Sequence, residues 1–448
     1  MPSFVASTAG TGCRPHVPVN GTQVSGVDVN HRMRAWSGAG IAGLALTLAA
    51  CSGSAVSAAG GGGESTGESV DEVLIGALHP LTGSNAADGQ QMANAAQLAV
   101  DAVNEAGGIE SLGGADLVLE AADTQGTPET GQSEATRLIE EGAVALVGTF
   151  QSGTSANVAS VAERNQVPFV MDVSALDEIL DQGYQYAFRL QPNASLMGEQ
   201  GAAALAALAE DSGTPVDQVA FLYEQGNYGA AVYEGFQAAA DEAGITVDPV
   251  ISYDATAVSD MTTQISQVAA SGADVLAVAG YYRDSLLAAQ AVDTVKPDLQ
   301  AVFGVANGAY DQPAFVADAP GGGEGYFDAN YHWDVTNPDA VALAELYEET
   351  YGEPIRTSAV LTYDAVMVVA GAIEEAGSTD PAAIRDAIAA TDYEPLVVSE
   401  GPVSFDETGQ NTNAGIVVMQ VQDAAITQVF PNELAEAPYR FPAAPAAS

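Results

Sequence analysis

Two hydrophobic rhythms alternate along this chain. Short unbroken apolar runs at 73–78, 143–147, 219–223, 275–279 and 302–306 are what strands covered on both faces require. Between them lie longer stretches whose apolar residues recur at helical spacing, as in Met92, Ala95, Ala96, Ala99 and Val103. The opening unit sets the pattern: a strand at 73–78, a Pro/Gly/Ser/Asn-rich turn, a helix stopping at Gly107 and Gly108, then a strand at 117–121. Strand, helix, strand in that order implies parallel sheets. In such sheets ligands sit beyond the carboxyl ends of the strands, which makes the loop at 79–89 a candidate site wall.

The same alternation predicts helices at 128–141, 196–208, 261–270, 340–351, 358–376 and 381–390, with further strands at 169–173 and 246–253. At 448 residues the chain exceeds what one core holds, about 250 to 300 residues, so two domains are expected. The divisions predicted are a leader at 1–50, a tether at 51–70, one lobe from 71–190 plus 329–415, a second from 191–328 plus 416–434, and an irregular tail at 435–448. Three crossings between lobes imply a hinge of several strands.

Charge narrows the partners. With 59 acidic against 11 basic residues, and Lys296 the only lysine, a nucleic-acid or anionic-membrane surface is excluded. Near the N-terminus Arg32 and Arg34 precede an apolar segment at 41–50 that ends in LAAC, with Cys51 last. That is an export signal, too short to be a stable spanning helix. The LAAC resembles a bacterial lipobox, implying diacylglycerol on Cys51 and attachment to the outer face of the cell membrane. Residues 1–32 carry no targeting logic, and Met33 is a plausible true start. GAGIAG at 38–43 matches the dinucleotide fingerprint formally, yet neither follows a strand nor opens a βαβ unit. The small, polar stretch at 52–70 reads as a flexible tether. Cys13 lies in the leader, so the mature chain has no disulfide.

Several motifs carry a resemblance. LTG follows the first strand, DG (Asp88, Gly89) precedes the helix, and LAVDAVNEAGGI ends it; DQGYQYAFRL precedes a crossing, and GPVSFDETGQNTNAGIVVMQVQ resembles a closing segment. In order and spacing, over about 71–430, the chain resembles the leucine/isoleucine/valine-binding protein family, type 1 periplasmic binding proteins that serve branched-chain amino acid ABC transporters. That resemblance implies an α/β fold of two Rossmann-like lobes with parallel sheets and a three-segment hinge. It implies a solute held between them, permease subunits as partners, and no cofactor.

Carried over residue by residue, the family's carboxylate- and ammonium-binding loops fall on Ser152 and on Val173, Ser174 and Ala175. The threonine expected in the second loop aligns with Ala175, so Ser174 must substitute or the contact is missing. Tyr228 and Tyr281 lie just past strand ends, where the family places aromatic rings against ligand. The glutamate that takes the ligand's ammonium is missing: Val305, Ala306 and Asn307 occupy its neighbourhood. Asp88 and Asp284 are the candidate replacements, and without one the solute would be a carboxylate or small amide lacking an amine. From the residues alone, the hydroxyl-rich turn at Thr149, Ser152, Thr154 and Ser155 before a helix suits a carboxylate and equally suits an ordinary cap.

Enzyme chemistry finds no constellation. GxSxG, P-loop and HExxH motifs are missing, and beyond the leader histidine is limited to His79 and His332, too few for a histidine-built metal site. His79 ends the first strand and reads as a hydrogen-bonded turn residue. A sensor domain of the same fold would need a spanning helix, and past the leader no apolar stretch near ~20 residues stands out. A Rossmann dehydrogenase would need glycines where the first loop reads HPLTGSNAADG.

Overall fold

The structure, a computed structural model, describes residues 70–443. The leader, Cys51 and most of the tether lie outside the described residues. The first sheet is built from β1 (Glu72–His79), β2 (Asp116–Asp123), β3 (Ala145–Gly148), β4 (Phe169–Met171) and β5 (Ala187–Arg189). Its order is β2-β1-β3-β4-β5 and every pairing is parallel, as right-handed βαβ crossovers demand. Helices α1 (Ala86–Glu105), α2 (Pro128–Glu140) and α3 (Ser152–Asn165) make those crossovers.

The second sheet follows the same logic. α4 (Ala194–Ser212) leads into β6 (Gln218–Glu224), α5 (Asn227–Ala243), β7 (Thr246–Tyr253), α6 (Thr262–Ser271), β8 (Val275–Ala279), α7 (Tyr282–Val295), β9 (Ala301–Val305), the short α8 (Pro313–Asp318) and β10 (Phe327–Asn330). The chain then returns to the first sheet through α9 (Pro338–Tyr351), α10 (Thr357–Ala376) and α11 (Pro381–Ala389), before β11 (Val417–Gln422) and β12 (Ala425–Phe430) close the second. The sheet order is β12-β11-β10-β9-β8-β6-β7, with only β11 and β12 running antiparallel to their neighbours.

The apolar stripe expected on α1 is the one buried: Met92, Ala95, Ala96 and Ala99 are at 0% exposure, packed with Val73, Ile75 and Ala77 of β1. α10 joins the same core. Against the expectation from sequence, Thr357–Ala376 is long and apolar enough to cross a membrane, yet it is buried along nearly its whole length. A helix apolar all round serves as a core element once sheet and helices cover it. Asp172, at the end of β4, ties it down: Thr362 of α10 donates to its carboxylate at 2.8 Å and His79 Nε2 lies 2.9 Å from the same oxygen. His79 is fully buried at that junction, so it is a packing residue and does not face the cleft.

Between the sheets the chain passes after Arg189, after Asn330 and before Val417. Two of these passages are bonded to each other. Arg189 Nε donates to Gln410 Oε1 at 2.8 Å, and Asn411 Nδ2 to the Leu190 carbonyl at 2.8 Å. The hinge strands are thus held in fixed mutual register. The described part of the tail forms no helix or strand, and Phe441 packs on Phe327 with ring centroids 6.1 Å apart.

Candidate functional site

At the carboxyl ends of both sheets lies a cavity of about 40 Å³ with walls from each sheet's loops. Phe150, Ser152, Val173 and Ala175 come from the first; Tyr228, Tyr281 and Asn307 come from the second. β4 stops at Met171, two residues earlier than its apolar run predicts, which frees 173–175 to be loop. In the loop after β3 the hydroxyls divide their work. Thr149 Oγ1 and Ser155 Oγ are 2.8 Å apart and Thr149 Oγ1 donates to the Gln151 carbonyl at 3.1 Å, so those two brace the turn. Ser152 stays on the cavity wall, in the first turn of α3, where backbone N–H groups lack helical partners.

Four aromatic residues line the cavity, Phe150, Tyr228, Tyr281 and Tyr331, and three of their rings lie close together. Phe150 and Tyr281 are 6.2 Å apart and Tyr228 and Tyr281 6.0 Å, while the Tyr228 hydroxyl donates to the Ala306 carbonyl. Ala306 holds φ +50°, a left-handed conformation costing a residue with a Cβ about 1 to 2 kcal/mol, which aims that carbonyl at Tyr228.

Not every expected residue reaches this space. Ser174 is buried and does not line it: its carbonyl accepts from Gln191 and its hydroxyl has no partner among the described residues. Asn307 forms wall, but its amide is committed, donating to Val278 O and Ser285 Oγ and accepting from the Ala309 and Tyr310 N–H groups. Neither candidate acid lines the small cavity. Asp88 points into a neighbouring chamber and is paired with Arg356, 2.7 Å away. Asp284 caps α7, accepting from the Tyr281 N–H at 3.1 Å and the Tyr253 hydroxyl at 2.5 Å. Its orientation follows from local helix chemistry, since an acid three residues past the cap reaches back to the cap's N–H.

Burial pushes the Asp284 carboxyl up to about 6, with the bonds from Tyr253 and the backbone opposing. The folded state therefore holds this proton more tightly than the unfolded chain. Its contribution to stability is complete below about pH 4 and is lost as pH rises toward 6, a span worth about 3 kcal/mol at 1.36 kcal/mol per unit. Asp284→Asn should flatten that part of the stability profile, measured by urea unfolding from pH 4 to 7; an unchanged profile would refute the assignment.

The neighbouring chamber, about 760 Å³, shares Phe150, Asn307, Gly308, Asn330 and Tyr331 as wall with the small cavity. Sequence reasoning missed Tyr331 and Asn330, which follow directly from β10 ending in the cleft, and Asp311, which lies four residues past Asn307 in NGAYDQPAF. His332 also lines the chamber, and burial lowers it to about 4, so it is neutral there. Contacts across the cleft hold the two sides together: the Arg356 guanidinium lies 5.7 Å from the Tyr282 ring centroid, and Asn227 donates to Glu178 at 3.2 Å. Among the described residues no group of three His, Cys, Asp or Glu side chains is placed to hold a metal.

Two α/β lobes joined by three chain passages, with a cavity at the facing carboxyl ends of their sheets, define the class of two-lobed solute-binding proteins. Residues 72–425 match the periplasmic binding protein family model, and the chain belongs to that family. Its members are substrate-binding proteins, not enzymes. Among curated relatives, Leu/Ile/Val-binding protein homolog 8 of Brucella abortus (strain 2308) is 32% identical over 382 residues, spanning 83% of this chain and 93% of that protein. Homolog 7 of Brucella suis biovar 1 is 29% identical over 387 residues, 83% of this chain and 94% of its own. Solved structures share the fold. The branched-chain amino acid transporter protein LivJ of Streptococcus pneumoniae, in complex with isoleucine, superposes with TM-score 0.70 at 22% identity, covering 79% of this chain and 97% of its own. A solute-binding protein of R. palustris in complex with benzoate gives TM-score 0.68 at 17% identity, covering 84% and 98%.

Proposed function

We propose that this chain is the solute-capturing subunit of an ABC importer, lipid-anchored through Cys51 on the extracytoplasmic face of the cell membrane, and that it delivers an amino acid or amino-acid-like solute to permease subunits. The observation that carries this reading is the cavity itself, with the α3 N-terminus and Ser152 on one side and Tyr228 and Tyr281 on the other. A carboxylate suits the first wall, because free N–H groups and the helix dipole converge there. The aromatic wall comes from the other lobe, so a solute touching both favours closure. The lobes are taken as 71–190 plus 329–415 and 191–328 plus 416–434.

At about 40 Å³ the cavity is far below the ~300 Å³ where small-molecule pockets begin, so capture requires the rings to part or the solute to reach the larger chamber. A second reading is favoured by one feature: among the described residues no charged side chain lines the small cavity, which leaves an α-ammonium there without a counter-charge. A carboxylate lacking an amine fits that wall.

Thermal unfolding with leucine, isoleucine, valine and benzoate in turn separates these readings. A bound ligand at about 100 times its Kd adds roughly 2.7 kcal/mol. Stabilisation by the amino acids supports the first reading and stabilisation by benzoate alone the second; no response to any amino acid or carboxylate removes both. Mass spectrometry of the native protein checks the anchor, for which an unmodified terminus upstream of Cys51 is the contrary result.

A further inference from the structure

The chamber beside the small cavity has a charge imbalance. Asp88, Asp311, Glu345 and Glu348 stand on its walls, and Arg356 is the cationic side chain among them. Arg356 is committed to Asp88 at 2.7 Å. Asp311 is then a carboxylate at 7% exposure that forms no salt bridge among the described residues, although ions of its kind are rarely buried unpaired.

Its loop is held firmly. The Asn307 amide oxygen accepts from the Ala309 and Tyr310 N–H groups, and Gln312 Nε2 donates to the Gly308 carbonyl at 2.6 Å, so Asp311 is fixed between two braced residues. Ser358, in the first turn of α10, lines the same chamber; it is 6% exposed and its hydroxyl has no hydrogen-bond partner among the described residues. A fixed acceptor with no counter-ion and an unused hydroxyl therefore share one chamber. The chamber shares Phe150, Asn307 and Tyr331 with the cavity whose far wall suits a carboxylate.

We propose that the captured solute is elongated, with its carboxylate at the Ser152 wall and a cationic nitrogen in the larger chamber, held by Asp311 with Ser358 beside it: an ω-amino or ω-guanidino carboxylate longer than leucine. This rests on the solute-receptor reading and names its substrate class. It also supplies the acid that the small cavity lacks. Burial raises the Asp311 carboxyl, with Asp88 adding to the effect and Arg356 opposing it, and a cation bound beside it would lower it again. An anion in this chamber would face the same surplus of acids.

Calorimetric titration of the mature chain with 6-aminohexanoate, L-arginine, L-leucine and hexanoate provides the test. The expected result is that 6-aminohexanoate or arginine binds at least tenfold tighter than leucine and hexanoate. Asp311→Asn, which keeps size and removes charge, should abolish that preference and leave hexanoate affinity within a factor of two; Ser358→Ala should weaken the preferred probe by a few-fold. If leucine or hexanoate binds as tightly as the cationic probes, or if Asp311→Asn binds them as the parent does, the inference falls and the receptor reading stands. If all four probes and the wider amino-acid panel fail, the receptor reading falls and takes the inference with it. The wild-type preference needs no variant, so an Asp311→Asn protein that does not fold leaves the test intact.

Discussion

Arg356→Ala should destabilise the protein by about 3 to 5 kcal/mol, the range for removing one partner of a buried ion pair. Asp88 is left behind with its side chain at 3% exposure, and Arg356 itself is only 12% exposed, so solvent does not screen the loss. The pair also sits in a larger staple. Gln91 accepts from the Arg356 N–H at 2.9 Å and donates to the Pro354 carbonyl at 3.2 Å, joining the start of α1 to the start of α10. Burial already raises the Asp88 carboxyl, with Arg356 the chief opposing influence. Without Arg356 it rises further, so the penalty should shrink as pH falls and Asp88 takes up a proton. Asp88→Asn in the Arg356→Ala background should recover much of the loss. Urea unfolding of the two single variants and the double variant gives the coupling directly. Additive losses would mean that the pair is not what matters here.

This pair also shows where sequence reading stops. Asp88 was visible as a candidate acid in the DG expected just before the first helix, and it stands in that helix's first turn, but its partner lies 268 positions away and nothing local marks Arg356. The strands and helices were legible because each carries its own period: unbroken apolar runs for β8 and β9, the spaced stripe for α1. The positions of Ser152, Tyr228 and Tyr281 were legible for a related reason. In a parallel sheet the residues after each strand share one end of the layer, so strand ends alone place them together. What each side chain does there depends on neighbours from other segments. Asp284 turns back to its own helix, Asn307 spends its amide on the loop, and Asp311 is one acid among 59 until the chamber singles it out. The apolar length of α10 was misjudged because composition separates a core helix from a spanning one only after its surroundings are known.

Gly198→Ala and Gly235→Ala should each cost about 3 kcal/mol or more, at or beyond the upper end of overpacking losses, because the added methyl group meets backbone. A Cβ on Gly198 of α4 would stand 2.1 Å from the Val232 carbonyl oxygen, and one on Gly235 of α5 would stand 2.0 Å from the Ser195 carbonyl oxygen. A flexible side chain could rotate away from such a contact; a helix carbonyl moves only with its helix. By contrast Gly213 and Gly352 have open space around the Cβ position and positive φ, so alanine there should cost only the left-handed penalty, about 1 to 2 kcal/mol. The two interior substitutions demand the same response, α4 and α5 moving apart. Once the helices have separated for one methyl group, the second finds part of its space already made. The double variant should therefore lose less than the sum of the singles by about 1 kcal/mol or more, within the range seen for coupled neighbours. The movement should reach the cleft as well. Met197, next to Gly198 on α4, and Tyr228, in the first turn of α5, both line the small cavity, so either variant should bind solute more weakly while Gly352→Ala binds as the parent does. Urea unfolding of the four single variants and the double variant, with titration by the probe that the parent protein binds, tests both parts. Strict additivity, or undiminished binding in a destabilised Gly198→Ala protein, would show that the helix contact and the cavity are not linked.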